Sequence, residues 1–102
     1  MTDVPIQRAG GDVTVLDFWA DWCGTCRLID PVVKRVVGGH SGVVLNKINV
    51  GETSEIAKRH GVATLPTLVF LASDGRELGR LSGSMTGKQI EAALTEALNK
   101  SG

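Results

Sequence analysis

Two cysteines separated by two residues are the part of this sequence best suited to chemistry. Cys23 and Cys26 are the only cysteines of the 102-residue chain and form a C-x-x-C motif. Side chains three residues apart on a helix lie one turn apart on the same side, so the two sulfurs can close a disulfide. Cys26 can also attack a mixed disulfide held on Cys23. The spacing predicts a two-step thiol–disulfide exchange in which Cys23 attacks and Cys26 resolves.

The predicted secondary structure around Cys23 favours its role as the nucleophile. Residues 13–20, VTVLDFWA, are β-branched, aromatic and apolar, which predicts a buried strand. Residues 24–37 follow with apolar side chains at helical spacing, so Cys23 lies where a helix begins. The partial positive charge at a helix N-terminus stabilises a thiolate. Gly24 leaves room for the turn between the strand and the helix.

Asp17 is a carboxylate in the middle of the apolar first strand. Burial there is expected to raise its pKa, and a carboxylic acid that titrates near neutral pH can exchange protons with Cys26. Lys47 lies in a second predicted strand, 43–50, where it can face Asp17 and offset part of the cost of burial. The alternative is an exposed Asp17 without a role and a Lys47 that covers an edge strand.

Pro66 is the third residue with a candidate role. It begins a predicted strand, where a proline costs no ladder hydrogen bond. The Leu65–Pro66 peptide bond is a candidate for the cis form, which would place a backbone edge beside the sulfurs. An extended substrate can pair with such an edge.

The elements that must position these residues follow from periodicity and turn signals. The remaining predicted elements are a short helix over 53–60, strands over 66–72 and 76–82 on either side of an Asp74-Gly75 turn, and a last helix that begins at the capping box of Thr86 and Gln89. This order predicts an α/β domain, 1–102, with a mixed four-stranded sheet flanked by helices and the 43–50 strand at an edge. About a dozen residues precede the first strand, so we expect an abbreviated N-terminal segment.

The first helix is expected to bury one face and to end at the Gly38-Gly39 pair. The apolar stripe predicted for that face comprises Leu28, Ile29, Val32, Val33, Val36 and Val37. Pro31 is expected to kink the helix. Asp21, Arg27 and Asp30 are expected on a solvated rim, from which they can influence Cys23 electrostatically.

Composition excludes several classes of function. Lysine plus arginine and aspartate plus glutamate are 11 each, so the chain lacks the basic excess of a nucleic-acid binder. No apolar run has the length of a membrane span, and the N-terminus lacks the pattern of a secretory signal. We therefore expect a cytoplasmic monomer that contacts neither nucleic acid nor membrane. His40 and His60 follow or precede glycines and are expected to be exposed rather than to bind a metal.

Several segments together resemble the thioredoxin family. LDFWADWCGTC resembles that family's active-site strand and redox motif, GVATLPT the segment with its cis-proline, and RLSGS at 80–84 its glycine-containing substrate edge. The resemblance spans roughly residues 13–98. It implies the thioredoxin fold and a thiol–disulfide oxidoreductase that reduces protein disulfides. It also implies a flavin-dependent thioredoxin reductase as electron donor and no cofactor in the chain itself.

The resemblance also implies a role for each matching residue. Cys23 is the exposed nucleophile, Cys26 the resolving cysteine, and Asp17 and Lys47 match the family's buried carboxylate and its lysine partner. The residues that match the substrate-binding surface are Trp22, Gly24, Thr25, Leu65, Pro66, Thr67, Gly83 and Ser84.

Thr25 stands where thioredoxins carry proline, and this departure predicts a protein less reducing than the roughly −270 mV of thioredoxin. A disulfide oxidase or isomerase is therefore an alternative. ADWC also resembles the motif of periplasmic and membrane-tethered thioredoxin-like domains. Alternatives of other classes are a redox-silent peptide-binding module, inert core thiols, and a carrier of a soft metal ion such as Cu(I).

Overall fold

A computed structural model describes residues 12–101 as four strands and three helices in the predicted order. The elements are β1 (Val13–Trp19), α1 (Gly24–Gly38), β2 (Val43–Asn49), α2 (Glu55–Arg59), β3 (Thr67–Ala72), β4 (Glu77–Ser82) and α3 (Gly87–Ser101). The prediction of an abbreviated N-terminal segment concerns residues 1–11, which lie outside the described residues.

The four strands form one mixed sheet in the order β2-β1-β3-β4. β1 and β2 are parallel, whereas β3 is antiparallel to both β1 and β4. The predicted mixed sheet is confirmed, and within the described residues β2 lies at an edge. Asp17 of β1 pairs in register with Lys47 of β2, so strand register places both side chains at the same level of the sheet.

The sheet separates two apolar clusters because successive strand side chains point to opposite faces. Val13 and Val15 of β1 pack with buried side chains of α1 and α3. Leu16 and Phe18 pack on the other face, against Ala57 of α2. Asp17 follows the alternation of Val13 and Val15 and therefore faces α1, the helix that carries the cysteines.

Helix α1 confirms the predicted helix but buries a narrower face than predicted. Its buried residues are Cys26, Val33 and Val37, which lie along one line of the helix. Leu28 is 78% exposed, so its inclusion in the buried stripe was wrong. At 100° per residue Leu28 lies about 200° from Cys26, which directs it away from the sheet. The helix continues through Pro31 without interruption.

The predicted capping box of α3 is confirmed. The Thr86 backbone N–H donates to the Gln89 side-chain oxygen at 2.8 Å, and the Gln89 N–H donates to the Thr86 hydroxyl at 3.1 Å. These two bonds satisfy backbone donors that have no partner within the helix. The helix then packs Ile90, Leu94 and Ala97 on the sheet.

Leucine-to-alanine substitutions in the two long helices should differ sharply in their effect on stability. Leu94 is fully buried in α3, so we expect Leu94→Ala to lower the free energy of unfolding by about 2–5 kcal/mol. Leu28→Ala removes the same atoms from an exposed site and should change it by less than about 0.5 kcal/mol. Urea unfolding of the two variants measures the difference. Equal losses would contradict the assignment of the buried face.

Candidate active site

The Cys23–Cys26 disulfide lies where β1 ends and α1 begins. The two Cα atoms are 5.3 Å apart, and Cys23 is the N-cap residue of α1. The Cys26 backbone N–H donates to the Cys23 Sγ at 3.1 Å. The first turn of α1 carries no acidic side chain. The helix end therefore favours negative charge on the Cys23 sulfur once the disulfide is opened.

Both cysteines are largely covered in this oxidised form. Cys23 is 8% and Cys26 is 5% exposed, so the expectation of a freely exposed Cys23 needs correction. The two side chains pack with Ala20, and Leu65 covers them from the loop before β3. In this oxidised form, therefore, only a small part of Cys23 is accessible to a substrate.

Asp17 is a buried carboxyl, with 3% of its surface exposed. Burial in the apolar face between β1 and α1 raises its pKa, because desolvation penalises the charged form. The Lys47 ammonium, 3.7 Å from Asp17 Oδ2, acts in the opposite direction and does not cancel the effect of burial. Asp17 thus holds a proton to higher pH than an exposed aspartate does.

Lys47 is the link between Asp17 and the surface. Its ammonium group donates to Asp30 of α1 and lies 5.0 Å from the centre of the Trp19 ring. A cavity of about 390 Å³ is lined by Trp19, Cys26, Arg27, Asp30 and Lys47. The hydrogen bond from Lys47 lowers the pKa of Asp30. Asp30 is therefore half-buried and paired, not the solvated rim residue that was predicted.

A second cavity, of about 260 Å³, lies on the side of the disulfide that faces α2. Trp22 borders it and is 73% exposed, although it is adjacent to Cys23. Leu65 lines the same cavity and also packs on the cysteines. The other lining residues are Val50, Ser54, Ala57, Lys58, Val62 and Ala63. This surface is an apolar groove that leads to the disulfide.

The loop before β3 contains the Leu65–Pro66 peptide bond, which is cis. The Gly83 N–H donates to the Pro66 carbonyl at 2.8 Å, and Gly83 has a φ of 79°, a conformation suited to glycine. This bond places Gly83 next to Pro66. The sequence analysis assigns both residues to the substrate-binding surface. Ser84 follows and is exposed.

Pro66 and Thr67, which the resemblance assigns to the wall facing the disulfide, are buried. The Thr67 hydroxyl donates to the Thr64 carbonyl at 2.6 Å, so it holds the loop in place and presents no surface to a substrate. Gly24 and Thr25, by contrast, are exposed in the first turn of α1.

The sequence analysis missed the groove residues of α2 and the role of Asp30. The signal for Asp30 is its position four residues after Cys26, which puts both on one face of a helix. The signal for the groove is weaker: Ala57 and Val62 are apolar but belong to a short helix and the loop after it.

The histidines lie outside this site and are half-buried rather than exposed as predicted. The His40 Nε2 atom is 2.7 Å from a Glu91 carboxylate oxygen, and the His60 ring lies 6.1 Å from the Phe18 ring. Within residues 12–101, no three His, Cys, Asp or Glu side chains are grouped to hold a metal ion. Over the same range no helix is long and apolar enough to cross a bilayer.

A cysteine pair at a helix N-terminus, beside a cis-proline loop and above a mixed four-stranded sheet, defines the thiol–disulfide oxidoreductases of the thioredoxin fold. Comparisons with known proteins give the particular family. The family model described as Thioredoxin matches residues 5–96. The chain belongs to the thioredoxin family and is a protein-disulfide reductase.

Individual relatives support the same assignment. The chain is 40% identical to the thioredoxin of Alicyclobacillus acidocaldarius, over 96% of this chain and 95% of that protein. It is 39% identical to a thioredoxin of Malassezia sympodialis, over 88% and 87%. Its structure matches that of Fasciola hepatica thioredoxin with a TM-score of 0.73 and 34% identity, covering 93% of this chain and 86% of the other. A mutant thioredoxin from Halobacterium salinarum gives a TM-score of 0.77 at 32% identity, covering 86% and 76%.

Proposed function

We propose that this chain reduces protein disulfides with Cys23 as the nucleophile, Cys26 as the resolving thiol and Asp17 as the proton acceptor for Cys26. The assignment of Cys23 as the nucleophile is based on its position. Its sulfur caps α1 and accepts the Cys26 N–H, whereas Cys26 lies within the helix. The same position stabilises the Cys23 thiolate in the reduced form.

The first step forms a mixed disulfide. The Cys23 thiolate attacks one sulfur of the substrate disulfide, the substrate S–S bond breaks, and one substrate thiolate leaves with the electron pair. Trp22 and the apolar groove beside it offer the surface on which a substrate segment can lie. Leu65 lines the same groove, and Gly83, which is bonded to the Pro66 carbonyl, and the exposed Ser84 extend the surface.

The second step releases the substrate. Cys26 gives its proton to the Asp17 carboxylate, and its thiolate attacks the Cys23 sulfur of the mixed disulfide. The second substrate thiolate leaves, and the Cys23–Cys26 disulfide forms. The substrate has gained two electrons and the cysteine pair has lost two. Lys47 supports this step because its charge stabilises the Asp17 carboxylate.

A flavin-dependent thioredoxin reductase is the proposed source of the two electrons that reopen the disulfide, and a reducing compartment such as the cytoplasm is the proposed location. The similarity to thioredoxins over almost the whole chain supports both. Mixing the oxidised protein with NADPH and such a reductase tests the first. Loss of NADPH absorbance, equal to the amount of disulfide, is the expected result, and no loss contradicts the proposal.

The reduction potential of the Cys23–Cys26 pair tests whether the protein can also act as an oxidase or isomerase. We expect a value less negative than about −270 mV because Thr25 retains a backbone N–H. That N–H lies in the first turn of α1, where it has no helical acceptor, and it can donate to the Cys23 thiolate. A hydrogen bond to a charged group contributes about 1.5–3 kcal/mol, which corresponds to about 30–60 mV.

Thr25→Pro should therefore make the potential more negative by about 30–60 mV. Thr25→Ala is the matched control, since it removes the hydroxyl and keeps the N–H, and it should change the potential less. Equilibration with a glutathione or dithiothreitol redox buffer, followed by tryptophan fluorescence, measures all three proteins. An unchanged potential in Thr25→Pro would contradict the role of the N–H. A wild-type value above about −200 mV would favour the oxidase or isomerase.

A further inference from the structure

The Lys47 ammonium group is shared among three partners. It pairs with the buried Asp17 carboxyl at 3.7 Å and donates a closer hydrogen bond to Asp30. It also lies over the Trp19 ring, 5.0 Å from the ring centre. Because electrostatic attraction falls with distance, any displacement of the ammonium group from Asp17 toward Asp30 weakens its pairing with Asp17.

Asp30 is the partner nearer to solvent. It lines the cavity of about 390 Å³ that Cys26 and Lys47 also line. Its Oδ2 atom forms a salt bridge with Lys34 Nζ at 2.9 Å. The hydrogen bond from Lys47 lowers the pKa of Asp30, which keeps it ionised at neutral pH. A negatively charged side chain therefore lines the same cavity as the resolving cysteine.

We infer that Asp30 is a positioning residue for the second step of the reaction: it draws the Lys47 ammonium group toward itself and so weakens the ion pair that would ionise Asp17. This inference rests on the proposed role of Asp17 as proton acceptor for Cys26. The inference adds Asp30 of α1 as a residue that controls the ionisation of Asp17 through Lys47, without contact with the reacting sulfurs.

The direction of the effect follows from the charged groups around Asp17. The charged groups are Lys47 of β2 and Asp30 and Lys34 of α1. The residue that pairs with Asp17 on β3 is Leu68, which is apolar, and the buried face of α3 is also apolar. Without the Asp30 charge, the Trp19 ring still holds the ammonium group near Asp17. Lys47 then acts on Asp17 alone, and the repulsion from Asp30 is gone. Both changes favour the Asp17 carboxylate.

The test compares the full-length protein with Asp30→Asn in two measurements. The first is the titration of the Asp17 carboxyl carbon by NMR in the oxidised protein. The second is single-turnover reduction of one equivalent of a chromogenic aromatic disulfide, which releases one thiolate in the attack step and one in the resolving step. Asp30→Asn should move the Asp17 titration and the acid limb of the resolving rate to lower pH, with the attack rate unchanged.

Two further variants separate charge from structure. Asp30→Glu keeps the charge and should restore the wild-type titration. Lys34→Gln removes the exposed partner of Asp30 and should move the Asp17 titration slightly in the opposite direction, because Lys34 lowers the pKa of Asp17. An unchanged Asp17 titration in Asp30→Asn, or a shift to higher pH, would overturn the inference.

The same data distinguish a failure of the proposed function. If Asp17 is not the proton acceptor, Asp17→Asn leaves the acid limb of the resolving rate in place. In that case Asp30→Asn still moves the Asp17 titration and leaves the rate profile unchanged. A shifted titration with a fixed rate profile therefore supports the control of Asp17 by Asp30 and contradicts the role of Asp17 in catalysis.

Discussion

Cys23→Ser is expected to abolish the reduction of a disulfide-linked protein, with turnover reduced by at least about 10³-fold. The serine hydroxyl stays protonated at neutral pH and cannot form a mixed disulfide, so the first step has no nucleophile. Cys26 cannot substitute for it, because Cys26 lies within α1, whereas the Cys23 sulfur caps the helix end that stabilises a thiolate. A coupled assay with NADPH and a thioredoxin reductase measures the loss.

Cys26→Ser is the matched control for this prediction. It should also stop turnover, but it retains the first step and should accumulate a covalent adduct between Cys23 and the substrate. Mass spectrometry of the non-reduced protein detects that adduct, which Cys23→Ser should not form. If Cys23→Ser forms the adduct and Cys26→Ser does not, the two roles are reversed.

Asp17→Asn is expected to slow the resolving step by about 10²-fold, the usual contribution of a positioned proton acceptor. Asparagine has nearly the same shape but cannot accept the Cys26 proton. The attack step should change little because the Cys23 thiolate is stabilised by the end of α1 rather than by Asp17. Stopped-flow measurement of the two thiolate releases separates the steps. An equal loss in both would show that the substitution perturbs the site as a whole.

The same substitution should stabilise the fold at pH values where Asp17 is ionised, because it removes a charge from an apolar environment. Lys47 keeps its hydrogen bond to Asp30, so no unpaired charge is left behind. Since burial raises the pKa of Asp17 in the folded state, the folded protein binds this proton more tightly than the unfolded chain does.

The stabilisation should therefore depend on pH in a defined direction. Below the unfolded-state pKa of about 3.9 the carboxyl is protonated in both states, and wild type and Asp17→Asn should differ least. As the pH rises toward the folded-state pKa, wild type loses stability relative to the variant, and above it the difference becomes constant. Urea unfolding across this range measures it. A difference that grows toward acid pH would contradict the raised pKa.

Much of this protein could be predicted from short stretches of sequence. The strand that ends before Cys23, the helix that begins after it and the Thr86–Gln89 capping box depend on residues close together in the chain. Periodicity and end signals of this kind report local backbone preferences, which tertiary packing here reinforces. The C-x-x-C motif belongs to the same class, because one helical turn places both sulfurs.

The contacts around Asp17 and the groove depend on how whole elements pack. Pairing in register places Lys47 beside Asp17, but only the position of α1 over the sheet brings Asp30 to the same ammonium group. The rotation of α1 also decides that Leu28 faces solvent although it follows the apolar spacing. Such relations join residues far apart in the chain, and no local pattern specifies the angle and depth at which a helix packs.

The order of the elements, the redox pair at the end of a strand and the carboxylate inside an apolar strand can all be read from the sequence. These depend on side-chain period and residue type, which neighbouring residues are enough to define. Three other features follow from the packing of whole elements: the charges beside the buried carboxyl, the side chains that line the groove, and the loop residues that are covered. The physical reason is that electrostatic and packing energies depend on distances set by the whole fold, whereas backbone preferences depend on the nearest residues.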